Sequence, residues 1–310
     1  MLLDILYIIG GIVLVLWGAD RLTDGSVAVA EKLNIPQIVI GLTIVAMGTS
    51  MPEFCVSLVS ALKGTPDLAV GNVVGSNVFN SLLIVGCSAL VAPMTILPST
   101  VRKDIPFALV ASILLTLLCL DGDISRLDAV LLFALFLYFM FITLKGAKQT
   151  GAEEPSEKKN FTTGKAVFFI VLGLVCLIGG SNIFVTGATH VAAALGVSEA
   201  VIGLTVVAMG TSLPELATSV VSARKGNSGI AIGNVLGSNV FNILLILGLT
   251  GIISPMQIQG ITVVDLSMLV VSMILLWLFS FTKYTIERWE GAVLTTLFVS
   301  YVSYLVVNAI

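Results

Sequence analysis

Two near-identical stretches decide the fold, Gly41-Leu-Thr-Ile-Val-Ala-Met-Gly-Thr-Ser-Met-Pro-Glu53 and Gly203-Leu-Thr-Val-Val-Ala-Met-Gly-Thr-Ser-Leu-Pro-Glu215. The second begins 162 residues after the first. At that shift residues 40–80 fall on residues 202–242 without a gap, and 28 of the 41 positions are identical. The chain therefore contains an internal repeat.

The composition indicates that lipid surrounds most of this chain. Of the 310 residues, 57% are apolar and 11% are charged, and the mean hydropathy is +1.09. A soluble domain carries about 25% charged residues because its surface faces water. We predict a multi-pass membrane protein. The chain has no basic stripe with interleaved aromatic residues, so a nucleic-acid partner is not expected.

Apolar runs near the roughly 20 residues needed to cross a bilayer predict an all-α membrane protein with ten transmembrane helices. The predicted spans are 3–22, 37–61, 68–91, 105–120, 127–144, 166–187, 200–222, 230–250, 265–282 and 290–308.

The only sustained hydrophilic stretch, residues 146–165, divides the spans into two sets of five. We predict a first five-helix repeat over 1–145, a cytoplasmic linker over 146–165, and a second five-helix repeat over 166–310. Five is an odd number, so the second repeat is expected to be inverted in the membrane. Inverted repeats with helices broken at the midplane are a common plan of secondary transporters.

The basic residues predict the orientation. With the N-terminus outside, thirteen of the fifteen Lys and Arg residues fall in inside loops and two, Lys63 and Arg126, fall outside. Cytoplasmic loops of membrane proteins carry such an excess of positive charge. We therefore predict a multi-pass protein of the cell (inner) membrane, with both termini on the outer side and the linker 146–165 in the cytoplasm.

Glu53 and Glu215 lie in the middle of predicted spans, where an ionised carboxylate costs roughly 2.5–3.5 kcal/mol on insertion scales. Two such residues at equivalent positions are expected to face each other inside the protein. Pro52 and Pro214 precede them. A proline inside a helix removes one backbone hydrogen bond, so the adjoining Gly-Thr-Ser segment is expected to unwind and free carbonyl oxygens.

A second motif occurs in the next span of each copy, as Gly71-Asn-Val-Val-Gly-Ser-Asn-Val-Phe-Asn80 and Gly233-Asn-Val-Leu-Gly-Ser-Asn-Val-Phe-Asn242. The Ser and the final Asn of each motif lie four residues apart on one helix face. Gly71 and Gly75 predict a strip of close helix approach. The other asparagines of the motif suit interhelical hydrogen bonding as well as ligation. Together the copies offer carboxylate, hydroxyl, amide and carbonyl oxygens, a set that suits a hard cation such as Ca²⁺ or Na⁺.

These paired motifs closely resemble the two alpha-repeats of the calcium/cation antiporter superfamily, especially the prokaryotic sodium/calcium exchangers. The resemblance covers essentially the whole chain. It implies that Glu53 and Glu215 are ligands shared by both ions, and that the carbonyls of Thr49 and Thr211 complete a Ca²⁺ site. It also implies flanking Na⁺ sites lined by four hydroxyl groups and two carbonyls. These belong to Ser50, Ser76, Ser212, Ser238, Ala46 and Ala208.

The resemblance places Asn80 and Asn242 in the middle of the site. Some relatives carry an aspartate at the position of Asn242, and its absence here argues against the potassium-dependent variety. The linker is also too short for the regulatory cytosolic loop of animal relatives. We expect no cofactor and no obligate protein partner, only the lipid bilayer and the transported ions Ca²⁺ and Na⁺.

The function that these features predict is exchange of Na⁺ for Ca²⁺ by alternating access, and not enzymatic catalysis. Exchange of H⁺ for Ca²⁺ or another divalent cation is the alternative, since protons could displace a metal ion from the same glutamates. An intramembrane hydrolase is disfavoured because the chain has no H-E-x-x-H motif and only one histidine. A passive channel is a third option: proline-broken inverted repeats suit alternating access better than a permanent pore, and only counterflow measurements separate the two.

Overall fold

The chain forms an all-α bundle. The structure is a computed structural model that describes residues 2–150, 161–196, 206 and 208–309, with the side chains of 148–150, 208, 308 and 309 left out. The helices, in chain order, are α1 Leu2–Leu33, α2 Gln37–Thr49, α3 Met51–Leu62, α4 Pro66–Val91, α5 Pro98–Arg102, α6 Asp104–Leu118, α7 Arg126–Thr150, α8 Thr163–Ala194, α9 Ala208–Thr211, α10 Leu213–Arg224, α11 Ser228–Ile253, α12 Val263–Ser280 and α13 Arg288–Ala309.

Two short antiparallel strand pairs join loops at the ends of the bundle. Strand β1 (Met94–Thr95) pairs with β4 (Thr285–Ile286), and β2 (Asp123–Ile124) pairs with β3 (Met256–Gln257). Each pair links loops that are far apart in sequence, so it fixes the helices on either side relative to each other.

Eight helices of the described chain are long and apolar enough to cross a membrane, and the bent pair α2–α3 makes up to nine. This confirms the all-α membrane fold. The first part of the predicted span 200–222 lies outside the described residues, which show only its later part as α9 and α10. In the predicted linker, residues 151–160 are also outside the described residues, while α7 extends to Thr150 and α8 begins at Thr163.

Helices α4 and α11 form the centre of the bundle. In the most apolar stretch of each, 78% of the residues are buried, against 22% in α1 and 28% in α8. The central helices also carry the second motif of each repeat, so the predicted ligands on that motif lie in the interior. The outer helices α1 and α8 face the surroundings over most of their length.

Glycines bring α1 and α8 together as a close antiparallel pair. A Cβ added at Gly11 would lie 2.7 Å from the carbonyl oxygen of Gly180, and one added at Gly18 would lie 2.8 Å from that of Gly173. Only glycine permits backbones this close. The two helices run in opposite directions along this contact, since the contact partner moves back along α8 as the position advances along α1.

Helix α2 packs against α11 through a second set of glycines. The added Cβ of Gly233 would lie 2.6 Å from the carbonyl oxygen of Ile38, and that of Gly237 would lie 2.6 Å from the Cβ of Ala46. The Nε2 of Gln37 donates a hydrogen bond to Oδ1 of Asn227 (3.3 Å), so α2 and α11 begin at the same end of the bundle. Helices α2 and α3 then run to the opposite end.

Candidate cation site

The two glutamates lie in the first turns of α3 and α10, directly after a break in the helix. The break is a single residue in each copy: Ser50 has φ −81° and ψ 7°, and Ser212 has φ −88° and ψ 7°. A carboxylate in the first turn of a helix is stabilised by the positive end of the helix dipole.

The break is shorter than the sequence predicts. Gly48 and Thr49 stay helical at the end of α2, and α9 likewise ends at Thr211, so the Gly-Thr-Ser segment does not unwind as a whole. The reason is the place of the prolines, within the first two residues of α3 and α10. There the missing N–H has no partner inside the helix to lose.

Each glutamate accepts a hydrogen bond from a serine of the other copy of the motif. The hydroxyl of Ser212 donates to Oε1 of Glu53 (2.9 Å), and the hydroxyl of Ser50 donates to Oε1 of Glu215 (3.0 Å). The four residues therefore bring both helix breaks into one site, as the equivalent positions of the glutamates predict.

The second oxygen of each carboxylate is buried without a partner. Glu53 and Glu215 are 0% and 1% exposed, and Oε2 of each has no hydrogen-bond donor among the described residues. No ion pair reaches either residue in that part of the chain. An isolated carboxylate buried in this way costs several kcal/mol, so the pair needs a cation or protons for compensation.

Two further serines extend the site along α4 and α11. The hydroxyl of Ser212 also lies 3.1 Å from that of Ser76. Ser238, the equivalent of Ser76, is fully buried, and its hydroxyl has no partner among the described residues. The structure thus brings the hydroxyl of Ser76 to the helix break at Ser212, while Ser238 stays a predicted ligand with a buried hydroxyl.

Asn80 and Asn242 lie within π-helical turns, Phe79–Ile84 and Phe241–Ile246. Such turns are rare and occur often at functional sites. Both asparagines are 1% exposed, and the amide oxygen of each has no hydrogen-bond partner in the described part of the chain. Two unpartnered buried amide oxygens suit the central position predicted for them.

The remaining predicted ligands lie near the helix breaks, and the oxygens of Ala46 and Thr49 already take part in hydrogen bonds. The carbonyl of Ala46 accepts the Ser50 N–H (3.0 Å) and the Thr49 hydroxyl (3.3 Å), while that hydroxyl also lies 3.0 Å from Oδ1 of Asn234. Ala208 and Thr211 begin and end α9.

The asparagines at the start of each second motif hold the glutamate backbone. Nδ2 of Asn72 donates to the Glu53 carbonyl, and Nδ2 of Asn234 donates to the Glu215 carbonyl, both at 3.2 Å. Of the two roles that the sequence left open, these asparagines make interhelical hydrogen bonds.

Sequence reasoning missed two serines that support these asparagines. Ser57 lies 2.9 Å from Nδ2 of Asn72, and Ser219 lies 3.0 Å from Nδ2 of Asn234. The signal was present, because the two serines are identical at the 162-residue shift. They lie four residues after the glutamates, on the same helix face.

The donors of the site are oxygens. Among the described residues, no group of three or more His, Cys, Asp and Glu side chains could hold a metal ion. Two carboxylates with neutral oxygens suit the hard cations Ca²⁺ and Na⁺ and do not suit a thiophilic metal. Helices that cross a membrane around a buried pair of carboxylates define the class: a multi-pass membrane transporter for cations.

Comparison with known proteins gives the family. The sequence profile described as "Sodium/calcium exchanger protein" matches residues 3–145 and again 165–307. The chain belongs to the sodium/calcium exchanger family, which makes it a transporter by family and not an enzyme. The same profile matches both halves, in agreement with the internal repeat.

The relatives span nearly the same length as this chain. The sodium/calcium exchanger MaX1 of Methanosarcina acetivorans is 33% identical, with 96% of this chain and 97% of that protein covered. The inner membrane protein YrbG of Escherichia coli is 39% identical, with 84% and 82% covered. A solved structure of the sodium-calcium exchanger NCX_Mj, soaked with Na⁺ and Ca²⁺, has a TM-score of 0.86 at 31% identity and 98% coverage of both chains.

Proposed function

We propose that this protein exchanges Na⁺ for Ca²⁺ across the cell membrane by alternating access, with Glu53 and Glu215 as the ligands shared by both ions. The observation that carries the proposal is the buried carboxylate pair. Each carboxylate has one oxygen bonded to a serine of the other copy and one oxygen without a partner. One divalent ion or several monovalent ions would compensate the same two charges, so the two loads compete.

The neutral oxygens around the pair support a site for both ions. Hydroxyl groups of the serines at the breaks and on the second motifs would serve Na⁺, and the carbonyls of Thr49 and Thr211 would complete the Ca²⁺ shell. Asn80 and Asn242 would supply amide oxygens in the middle. Ca²⁺ takes 6–8 oxygen ligands in proteins, a number that this set can provide.

We propose further that the bundle has ten spans in two inverted five-helix repeats. The antiparallel contact of α1 with α8 supports inversion, because these helices are equivalent at the 162-residue shift. The matched breaks at Ser50 and Ser212 support it as well. The outer pair α1–α8 would slide across the central helices to expose the site on alternate sides.

The proposed topology has both termini outside and the linker 146–165 inside. In a variant without the four native cysteines, a cysteine at Ser156 should react with a membrane-impermeant maleimide only after the cells are permeabilised. Leu2→Cys, which lies before the first predicted span, should react in intact cells. Labelling of Ser156→Cys in intact cells would refute this orientation.

Calcium flux tests the exchange itself. Proteoliposomes loaded with Na⁺ and diluted into Na⁺-free buffer should accumulate radioactive Ca²⁺. Glu53→Gln and Glu215→Gln should each lower the uptake by roughly 100-fold or more, because removal of one charge from a buried charged site costs about 3 kcal/mol or more. Glu287→Gln is the matched control, since that carboxylate is 39% exposed in a surface ion pair with Lys283.

Two outcomes test the assignment of the site residues and the assignment of the counter-ion separately. Normal exchange in both glutamine variants would overturn the site assignment. Uptake driven by an acid interior without Na⁺, and not by Na⁺, would leave the site in place and identify H⁺ as the counter-ion.

A further inference from the structure

Asn77 and Asn239 are equivalent asparagines that the predicted ligand set does not include. Each lies three residues before a predicted central residue, Asn80 or Asn242, on the same central helix. Both are 0% exposed. A buried amide must satisfy two donors and an oxygen acceptor, so its contacts define what it does.

The amides of the four asparagines are bonded in a crossed pattern between α4 and α11. Nδ2 of Asn242 donates to Oδ1 of Asn77 (3.0 Å), and Nδ2 of Asn80 donates to Oδ1 of Asn239 (3.1 Å). Each central asparagine is thus held by the helix of the other repeat. Its own amide oxygen is left buried and without a partner among the described residues.

The holding amides are themselves fixed, and differently in the two copies. Nδ2 of Asn77 donates to the backbone carbonyl of Asn239 (3.2 Å). Nδ2 of Asn239 donates instead to the hydroxyl of Ser81 (2.8 Å) and to the sulfur of Met273 (3.3 Å). Asn77 has no equivalent hydroxyl to bond, because the residue equivalent to Ser81 is Ile243. A backbone carbonyl only accepts, so Asn77 must point its nitrogen there and its oxygen toward Asn242.

This arrangement matters because an amide can turn over. A cation binds the oxygen of an asparagine and is repelled by its NH₂ group. An asparagine free to flip would present the wrong end for part of the time, and binding would then require it to be reoriented first. An acceptor fixed opposite the NH₂ group removes that requirement.

We propose that Asn77 and Asn239 are positioning residues that hold the amides of Asn242 and Asn80 with their oxygens toward the cation. The inference rests on the proposed function, since it assumes that these two oxygens are ligands for Ca²⁺ or Na⁺. Neither positioning residue touches the ion. Their effect passes through the crossed hydrogen bonds, so it is specific to one partner each.

Double-mutant cycles measure this specificity. The probe is Ca²⁺ alone, and the readouts are its half-saturating concentration for uptake in proteoliposomes and the Ca²⁺-induced rise in the midpoint of thermal unfolding of the full-length protein. Asn77→Ala and Asn239→Ala should each raise the half-saturating concentration about three- to tenfold, as expected for a lost buried hydrogen bond, with a smaller effect on maximal rate.

The crossed pairs are expected to be coupled and the same-helix pairs are not. Once Asn242→Ala has removed the ligand oxygen, Asn77→Ala should weaken Ca²⁺ affinity no further. In the Asn80→Ala background, Asn77→Ala should keep its full effect. The pair Asn239 and Asn80 should repeat this pattern. A purely structural asparagine would weaken affinity equally in both backgrounds.

Each result decides a separate point. Equal effects of Asn77→Ala in the two backgrounds, with Asn80→Ala and Asn242→Ala both weakening Ca²⁺ affinity, would overturn the positioning role and leave the site intact. Unchanged affinity in Asn80→Ala and Asn242→Ala would overturn the ligand assignment and this inference with it. If the alanine variants do not fold, Asn77→Leu and Asn239→Leu fill a similar volume and repeat the cycles.

Discussion

The two copies of the repeat are nearly identical in sequence but lie in different surroundings. Gly237 on α11 is buried against Leu42 and Ala46 of α2. Its equivalent on α4, Gly75, is exposed, and no atom of the described residues lies within 4 Å of a Cβ added there. The strip on α11 mediates the close helix approach, whereas for Gly71 and Gly75 it stays a prediction, because residue 204 and the side chain of Ala208, which are equivalent to Leu42 and Ala46, lie outside the described residues.

The outer helix α1 contacts the central bundle at one end, defined by Lys225 after α10. Nζ of Lys225 lies 2.5 Å from Asp20 and 2.9 Å from Asp24, and the hydroxyl of Thr23 lies 2.9 Å from that of Ser222. We call these contacts the Lys225 latch.

The opposite end carries Lys63 after α3, and it lacks such contacts. Lys63 is exposed and forms no ion pair within the described part of the chain. Asn182 and Thr186, the equivalents of Asp20 and Asp24, are exposed on α8. The residue in place of Asp24 has no charge, so the latch cannot form there as it does beside Lys225.

The difference teaches that two copies of one sequence motif can have different contacts in the folded protein. Identical motifs would have identical surroundings if the bundle were symmetric. Instead, within the described residues, the Lys225 latch joins α1 to α10, and no equivalent ion pair joins α8 to α3 beside Lys63. The alternating access proposed above would interchange the contacts at the two ends.

The largest expected effect comes from filling the closed glycine face. Gly237→Val should lower the midpoint of thermal unfolding strongly, because its Cβ would lie 2.6 Å from that of Ala46 and 2.8 Å from the Leu42 backbone. Overpacking of this kind costs roughly 1–3 kcal/mol or more. Gly75→Val should unfold closer to the wild type, because no atom of the described residues lies within 4 Å of a Cβ added there. Thermal unfolding in detergent compares the two.

The midpoints of thermal unfolding of these two variants show whether the surroundings of Gly75 and Gly237 differ. Equal destabilisation by Gly75→Val and Gly237→Val would show that both faces are closed in the resting protein. The contrast between the copies would then be wrong.

A smaller effect is expected from the latch. Lys225→Met should raise the ratio of open to closed conformers at that end about two- to fivefold, since the side chain is 27% exposed and such pairs contribute up to about 1 kcal/mol. Lys63→Met, the matched variant, should leave the ratio unchanged. The distance between α1 and α10 can be measured by double electron–electron resonance. The spin labels are attached at Leu33→Cys and Arg224→Cys in a variant without the native cysteines.

The salt concentration gives a second test of the Lys225 latch. A partly exposed ion pair weakens at high ionic strength, so added salt should move the wild-type distance distribution toward that of Lys225→Met. An identical response of the Lys63→Met and Lys225→Met variants would show that the charge at this end has no special role.

Much of the fold follows from residue patterns that can be counted. The ends of the apolar runs lie within a few residues of most helices, such as 68–91 against Pro66–Val91 and 230–250 against Ser228–Ile253. The prediction 3–22 falls short of α1, which continues to Leu33. Its later part is held by contacts with α10, including the Thr23–Ser222 bond, and hydropathy does not register such contacts.

Part of the candidate site could also be predicted from the sequence, and part of it could not. Glu53 and Glu215 were identified because a charge at membrane depth has few explanations other than function. For Asn77 and Asn239 the sequence leaves two roles open, because an asparagine side chain can bond to a neighbouring helix or to an ion. Only their contacts across the bundle assign them hydrogen bonds to the neighbouring copy.

The sequence by itself determined the membrane class, the repeat, the paired glutamates and the oxygen character of the site. These depend on composition and on identity between two copies, which are properties of a one-dimensional string. The tertiary structure alone decided that each glutamate bonds to the other copy's serine, which way the asparagine amides point, and that α1 contacts α10 beside Lys225. These depend on distances between residues far apart in the chain, and identical segments can have different neighbours in space.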